Sequence, residues 1–258
     1  MSKVQNAPNV ANYVDAQNKV NALPAGAVKT AEQAKLNNII VPVAAADFNA
    51  AITNGIKNVK LTGDVSSATQ VKPAAGVTID GNNKALEFTN TGSGEATAEG
   101  LFIAEEGITI KNLVIENPAH GDNGIEIYKN ATLENVTVKG AKKAGIYVNN
   151  NGLDTVTVNF SNITTADNGP SWKAGIGLAS QKADSKVIAN FSGTNNFGEA
   201  SVLNGTAVYS DNAAEATNDK SGLPFAGTKY TGTYQGTVTV TGLGDAFIGA
   251  YDKDNWVK

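Results

Sequence analysis

The chain of 258 residues is 41% hydrophobic and 17% charged, which provides enough apolar material for a core and excludes a disordered chain. All twenty basic residues are lysine, and with 24 acidic residues the net charge is −4, so the basic footprint of a protein that binds nucleic acid or an anionic membrane is absent. The chain has no cysteine, which excludes disulfides and thiolate metal sites, and its 27 glycines and few aromatics favour many short strands joined by tight turns.

Residues 1–44 differ from the rest of the chain because they contain no repeat and are rich in Ala, Asn and Val. Short helices are predicted there, interrupted at Pro24 and Gly26. We interpret this segment as an amino-terminal arm whose apolar side chains contact another protein, with a disordered leader as the alternative. The contact residues expected in this arm are Val10, Tyr13, Val14, Val20, Leu23, Leu36, Ile39 and Ile40.

A short amphipathic helix is predicted after the arm, in AADFNAAITNG. Asp47 is expected to cap its amino terminus, and Gly55 to end it. Phe48, Ala51 and Ile52 share one face of this helix. Because that face is apolar, we expect the helix to cover the open end of the structure that follows.

From residue 100 onward the chain repeats a glycine followed by alternating apolar residues, as in GLFIA, GIEIY, GIYVN and GIGLA. The glycines are Gly100, Gly124, Gly145, Gly175 and the less regular Gly205, in steps of 24, 21, 30 and 30 residues. Strands that return at such periods predict a solenoid, in which stacked repeats bury one another's apolar faces. We expect the glycines to supply turn conformations that other residues disfavour.

A second strand follows each of these glycine strands, and an asparagine precedes an apolar residue in each. We expect the side-chain amides to hydrogen-bond from one repeat to the next in a single row along the stack. The residues of this expected ladder are Asn112, Asn135, Asn159 and Asn190.

The short helix, the strand KNVKLTGDV, the turn GVTIDGNN and the Gly-Ile-x-Ile repeats together resemble the right-handed parallel β-helix superfamily typified by pectate lyases. The resemblance covers roughly residues 45–205 and implies a mainly β fold, a right-handed parallel β-helix with a short capping helix, to which the amino-terminal arm of residues 1–44 is joined. It is specific for fold and weak for function, since this scaffold serves lyases, hydrolases, adhesins and phage spikes. Residues 206–258 lose the period, and we expect them to form a loop and strands that complete or cap the solenoid.

Enzymatic chemistry does not map onto these repeats. The lyases of the superfamily usually use an arginine base with calcium held by clustered aspartates, and this chain has no arginine and no dense aspartate cluster on the repeats. A lysine base stays open at Lys111, Lys139, Lys142 or Lys143, and the pair His120 and Asp122 fits a loop better than a glycosidase site. We therefore expect no catalytic residues, no metal and no cofactor.

An arm joined to a β-rich body resembles the layout of bacteriophage head-fibre and capsid decoration proteins. That resemblance implies a non-enzymatic virion protein that docks on the major capsid protein or another virion protein through its arm. We expect a homotrimer, no nucleic-acid or membrane partner, and a glycan as a possible ligand. The amino terminus has no apolar leader, so we expect synthesis in the host cytoplasm and assembly into virions. The alternative is a carbohydrate-binding or carbohydrate-cleaving β-helix protein, such as a tailspike-like depolymerase or a polysaccharide lyase.

Overall fold

The protein is mainly β and is built from long parallel sheets, preceded by short helices. The computed structural model describes residues 1–89, 99–116, 123–168, 174–180, 182, 184–198, 208–210, 216–218, 237–243, 248–252 and 255–257. The helices are α1 (Ser2–Asn6), α2 (Val10–Asn21), α3 (Ala27–Asn37) and α4 (Phe48–Thr53), with a short 3₁₀ turn at Ala45–Asp47.

Sheet A is the larger sheet, and every strand pair in it is parallel. Its central strands are long because each crosses a bend without interruption. The strands are β1 (Ile40–Val43), β2 (Asn58–Leu61), β3 (Val65–Ser67), β4 (Thr78–Phe88), β6 (Ile108–Glu116), β8 (Ala131–Lys139), β10 (Thr155–Ser161), β11 (Thr164–Ala166), β13 (Lys186–Ser192), β14 (Asn196–Gly198), β16 (Ala216–Asn218) and β17 (Thr237–Thr241).

Sheet B is formed by shorter strands, of which β5 to β15 lie between strands of sheet A in the sequence and β18 and β19 follow them. Its pairs are parallel except for the last, β18 with β19, which is antiparallel. The strands are β5 (Leu101–Ile103), β7 (Ile125–Ile127), β9 (Ala144–Asn149), β12 (Ala174–Ala179), β15 (Val208–Ser210), β18 (Ile248–Asp252) and β19 (Asn255–Val257).

The chain alternates between the two sheets, so that β4, β6, β8 and β10 join sheet A while β5, β7 and β9 join sheet B. The register places buried apolar residues in continuous rows across the strands, which gives one core between the sheets. One row in sheet A is Val41, Val59, Ile79, Ile110, Leu133, Phe160 and Phe191. This arrangement is compatible with a β-helix-like solenoid.

The repeated glycines are needed for close packing, and not for the turn conformations that the sequence predicts. Gly100, Gly124 and Gly145 are absent from the positive-φ glycines, so they do not supply a left-handed turn. A Cβ on Gly124 would lie 2.4 Å from Cγ1 of Val138 and 2.7 Å from the carbonyl oxygen of Gly145. At the starts of β5, β7 and β9 the chain is in such close contact with its neighbours that only glycine fits.

The amino-terminal helices pack against the first strands. Helices α2 and α3 form a hairpin joined by a reciprocal amide pair, in which each side-chain nitrogen of Gln17 and Gln33 donates to the other's oxygen at 2.7 and 2.9 Å. Tyr13, Val20 and Leu36 are buried in the same core cluster as the strands. In this structure the segment is therefore a folded part of the molecule.

Helix α4 lies where the sequence predicts it, and Phe48, Ala51 and Ile52 are its buried residues. Gly55 follows with a φ of 65°, which suits a helix end. Asp47 occupies the cap position, but its side chain makes no capping hydrogen bond. Sheet A already begins at β1, inside the residues assigned to the arm, and β17 and β18 extend the sheets into the last segment.

Candidate functional site

The asparagines expected in a single ladder fall into two separate rows. In the first row, Asn112 donates to Asp80 at 3.1 Å, Asn135 donates to Asn112 at 3.0 Å, and Asn162 donates to Asn135 at 2.9 Å. The three asparagines have φ values of 50°, 52° and 54° and mark the bend in sheet A. Asparagine tolerates this left-handed conformation better than other side-chain-bearing residues, so it supplies both the bend and the hydrogen bond.

Asn159 and Asn190 belong to the second row. Asn190 donates to Asn159 at 3.0 Å, and the hydroxyl of Thr241 donates to Asn190 at 2.9 Å. These residues lie within straight strands on the outer face of sheet A. The segment NFSNIT contains two candidates, and the register selects Asn162 for the bend because it lies two residues after buried Phe160, as Asn135 lies two after Leu133.

The apolar residues assigned to partner contact are mostly occupied within the chain. Of these eight residues, three are buried and one, Ile40, is exposed, at 59%. The other four are half-buried: Val10, Val14, Leu23 and Ile39. The three buried residues are Tyr13, Val20 and Leu36. They could meet a partner only if the helices left the strands on which they pack.

The outer face of sheet B concentrates side chains that can bind a ligand. We call it the aromatic face and define it by Phe102, Glu126, Tyr128, Tyr147 and Asn149. The register aligns Phe102, Glu126 and Tyr147 in one row across three strands. Their neighbours along each strand are buried core residues, so alternation places this row on the side away from the core.

Polar and aromatic groups of this face are in close contact or buried. The rings of Phe102 and Tyr128 meet edge to face with centroids 4.9 Å apart, and Nζ of Lys72 lies 5.1 Å from the Phe102 centroid. Glu126 is 6% exposed and Tyr147 is 5% exposed, although both lie on an outer face. A carboxylate is seldom buried at such a position without a specific role in structure or binding.

Phe102 and Tyr128 are the partly exposed rings of this face, and such rings can pack on the apolar ring faces of a polyhydroxylated ligand. The sequence analysis missed this face because it used GLFIA, GIEIY and GIYVN only as a fold signal. The residue between the two apolar positions of each motif is Phe102, Glu126 or Tyr147, which is the outward row.

The residues considered for catalysis are scattered. Lys111 lies 3.9 Å from Asp80, and Lys139 forms a 2.8 Å ion pair with Glu116, both on sheet A. Lys142 is exposed and Lys143 is half-buried between β8 and β9. The pair His120 and Asp122 lies outside the described residues.

Within the described part of the chain, no three His, Cys, Asp or Glu residues come together as metal ligands. The described helices include none with the length and apolar character needed to cross a membrane. No family model, curated protein or solved structure significantly matches this chain.

Proposed function

We propose that the chain is a non-enzymatic structural protein of a bacteriophage particle, a head fibre or capsid decoration protein. In this proposal the two sheets coil as a right-handed parallel β-helix, and the amino-terminal helices cover its first end. The amino-terminal segment attaches to the major capsid protein or another virion protein, and the β body projects. The protein is made in the host cytoplasm and assembled into virions there.

The observation that carries this proposal is the position of exposed hydrophobic side chains. Among the described residues, the large hydrophobic side chains that are exposed are Val28, at 68%, and Ile40, at 59%. Both belong to residues 1–44, and neither lies in the described residues that follow. Exposed apolar groups confined to one part of a molecule favour protein contact at that part.

Helix α3 adds to this surface. Of its eleven residues only Leu36 is buried, while Ala27, Val28, Ala31 and Ala34 are exposed. Positions 27, 31 and 34 share one side of a helix, with position 28 next to them. The proposed docking surface is therefore the outward side of α3 together with Ile40, and the buried residues of α2 hold that surface in place.

The test is cosedimentation of the purified chain with phage particles that lack it. Val28→Asp combined with Ile40→Asp is expected to abolish attachment, because two charges would be buried at an apolar contact. The control combines Asn18→Asp with Thr53→Asp, which places two charges at exposed positions of the neighbouring helices. Undiminished attachment of the Val28→Asp, Ile40→Asp variant would contradict the proposal.

A second candidate function is carbohydrate binding, with or without cleavage, and the aromatic face favours it. Phe102, Tyr128 and Tyr147 lie around Glu126 and Asn149 on the outer side of sheet B. Phe102 and Tyr128 are the partly exposed members of the group, and their adjoining rings suit a sugar chain. A virion protein could also bind a glycan, so this candidate is compatible with the first.

Binding to a panel of polysaccharides tests this second candidate, with release of reducing ends as the readout for cleavage. Phe102→Ala with Tyr128→Ala is expected to weaken binding about tenfold or more, since two ring contacts are removed. Phe197→Ala is the matched control, because Phe197 is a half-buried aromatic residue of sheet A. Equal binding by both variants would exclude the aromatic face as the site.

A further inference from the structure

The outer face of sheet A carries a strip without ionisable side chains, which we call the neutral strip. The register aligns Thr78, Thr109, Thr132, Asn159, Asn190 and Thr241 in one row across β4, β6, β8, β10, β13 and β17. A second row beside it consists of Gly107, Asn130, Thr157, Ile188 and Thr239.

Charged residues border the strip on both sides. Lys129 and Glu106 lie 3.9 Å apart on one side, and Lys111 and Asp80 lie 3.9 Å apart on the other. Burying such charges is costly, whereas hydroxyl and amide groups that find partners can be buried with little loss. The strip is therefore a part of sheet A at which a second molecule can approach closely.

The strip also has a depression and a partly exposed apolar residue. The depression has a volume of about 180 Å³ and is lined by Gly107, Ile108, Thr109, Asn130, Ala131, Thr132, Thr157 and Asn159. Ile188 is the only large apolar side chain of the two rows, and it is partly exposed on β13. A partly exposed isoleucine next to a shallow depression suggests a contact in which the isoleucine of one molecule enters the depression of another.

We propose that the neutral strip is the contact surface between two copies of this chain, related by a two-fold axis that runs along the strands between β8 and β10. Such an axis places β13 of one copy against β6 of the other, and β10 against β8. Ile188 then faces Gly107 at the edge of the second copy's depression. Because the contact is isologous, the same insertion occurs twice.

The polar residues of the strip are complementary under this axis. Asn190 faces Thr109, Asn159 faces Thr132, and Thr157 faces Asn130, so that each hydroxyl meets an amide. Both groups donate and accept hydrogen bonds, and the pairs satisfy each other without a charge. The two-fold contact is the expected assembly in place of a trimer, and it does not depend on the docking proposed for the amino-terminal segment.

The size of the strip sets the strength of the contact. Six strands about 4.8 Å apart and the three to four residues of about 3.4 Å that the two rows span along each strand give roughly 300 to 400 Å² per copy. The total of about 600 to 800 Å² is below that of stable specific interfaces, so the dimer is weak and depends on concentration.

The first experiment measures the mass of the full-length chain by sedimentation equilibrium, at concentrations up to about 1 mM. The wild type is expected to pass from monomer to dimer, and Ile188→Asp to raise the dissociation constant at least tenfold. Val114→Asp is the control, because Val114 is a partly exposed apolar residue on the outer face of sheet A beyond the bend. A wild-type monomer at every concentration, or equal weakening by the control, would overturn the proposal.

The second experiment tests the orientation and uses the absence of cysteine from the chain. An equal mixture of the Thr109→Cys and Asn190→Cys variants, whose positions face each other under this axis, is expected to form a mixed disulfide dimer on mild oxidation, in higher yield than a mixture of Val114→Cys and Asn190→Cys. Equal yields would overturn the two-fold arrangement. A wild type that stays monomeric, and that binds a neutral glycan less well after Ile188→Asp, would assign the strip to a sugar.

Discussion

Asparagine supplies the left-handed turns that the sequence analysis assigned to the repeated glycines, in addition to the predicted hydrogen bonds. At the bend of sheet A the left-handed conformation is adopted by Asn112, Asn135 and Asn162, while glycines enter sheet B with ordinary φ values. Gly193 continues the bend in the next strand, where the backbone nitrogen of Thr194 donates to Asn162 at 2.9 Å. The bend therefore uses any residue that accepts a positive φ, and asparagine adds a hydrogen bond between strands.

Asn135 allows the two contributions to be separated. Asn135→Ala is expected to lower the free energy of unfolding by about 2 kcal/mol, about 1 for the left-handed backbone and about 1 for the two exposed hydrogen bonds. Asn135→Gly keeps the backbone and loses only the hydrogen bonds. Asn159→Ala, in an extended strand, should cost about 1 kcal/mol or less. Urea unfolding in which Asn159→Ala loses more stability than Asn135→Ala would contradict this assignment.

Gly124 tests the close entry into sheet B. Gly124→Ala is expected to lower the free energy of unfolding by about 2 to 3 kcal/mol, because the new Cβ overlaps Val138 and the Gly145 carbonyl. Gly63→Ala is the control, since a Cβ there meets nothing within 4 Å and Gly63 has no positive φ. It should be neutral or stabilise by less than about 1 kcal/mol. Equal thermal stability of the two variants would rule out the steric explanation.

At the scale of elements, the amino-terminal helices bury within the chain the apolar side chains that the sequence analysis assigned to contact with another protein. The apolar spacing that suggests an arm for another protein is the same spacing that packs α2 against the first strands. Periodicity locates an amphipathic face and does not say which surface covers it. Tyr13 is the clearest case, because it is 1% exposed and, among the described residues, none meets its hydroxyl with good hydrogen-bond geometry, although the backbone of Lys57 lies near it.

Tyr13 makes the packing of α2 sensitive to alkaline pH. Burial raises the pKa of the Tyr13 phenol, against a smaller lowering effect from the backbone of Lys57. A raised pKa in the folded state means that stability is intact below the unfolded value of about 10 and falls as the pH rises above it. Tyr13→Phe removes this loss and leaves no unpaired hydroxyl. At pH 8 the denaturant midpoint of Tyr13→Phe should equal or exceed that of the wild type. Above pH 10 the midpoint of the variant should exceed that of the wild type by a larger margin.

An equal alkaline loss in wild type and Tyr13→Phe would contradict the assignment of that loss to Tyr13. All other residues are identical in the two proteins, so the difference between them isolates this one phenol.

The helices are also expected to be needed for stability. Removing residues 1–37 would expose the strand side chains on which Val4, Tyr13, Ala16, Val20 and Leu36 pack. The larger of these side chains each contribute about 1.5 to 3 kcal/mol when buried, so the loss is comparable to the stability of a typical domain. The truncated chain should aggregate or unfold at lower temperature in calorimetry. A truncated chain as stable as the full chain would show that the helices are an independent arm.

At the scale of the whole molecule, the repeats predicted the parallel sheets because strands that recur at a fixed period have few ways to bury their apolar faces. The same repeats could not reveal the aromatic face or the neutral strip. Those surfaces depend on register between strands that are far apart in sequence, as between Asn190 and Thr241. The choice between Asn159 and Asn162 failed for the same reason, since both asparagines fit the local pattern.

The proposed function is tested most directly by the protein composition of phage particles purified from lysates of the host that makes this chain. Quantitative mass spectrometry should find the chain in the particles at a fixed ratio to the major capsid protein, and the ratio should survive washing and a second gradient. The Val28→Asp, Ile40→Asp variant should be present in the lysate and absent from the particles. Particles that contain none of the wild-type chain, with all of it free in the lysate, would contradict the account.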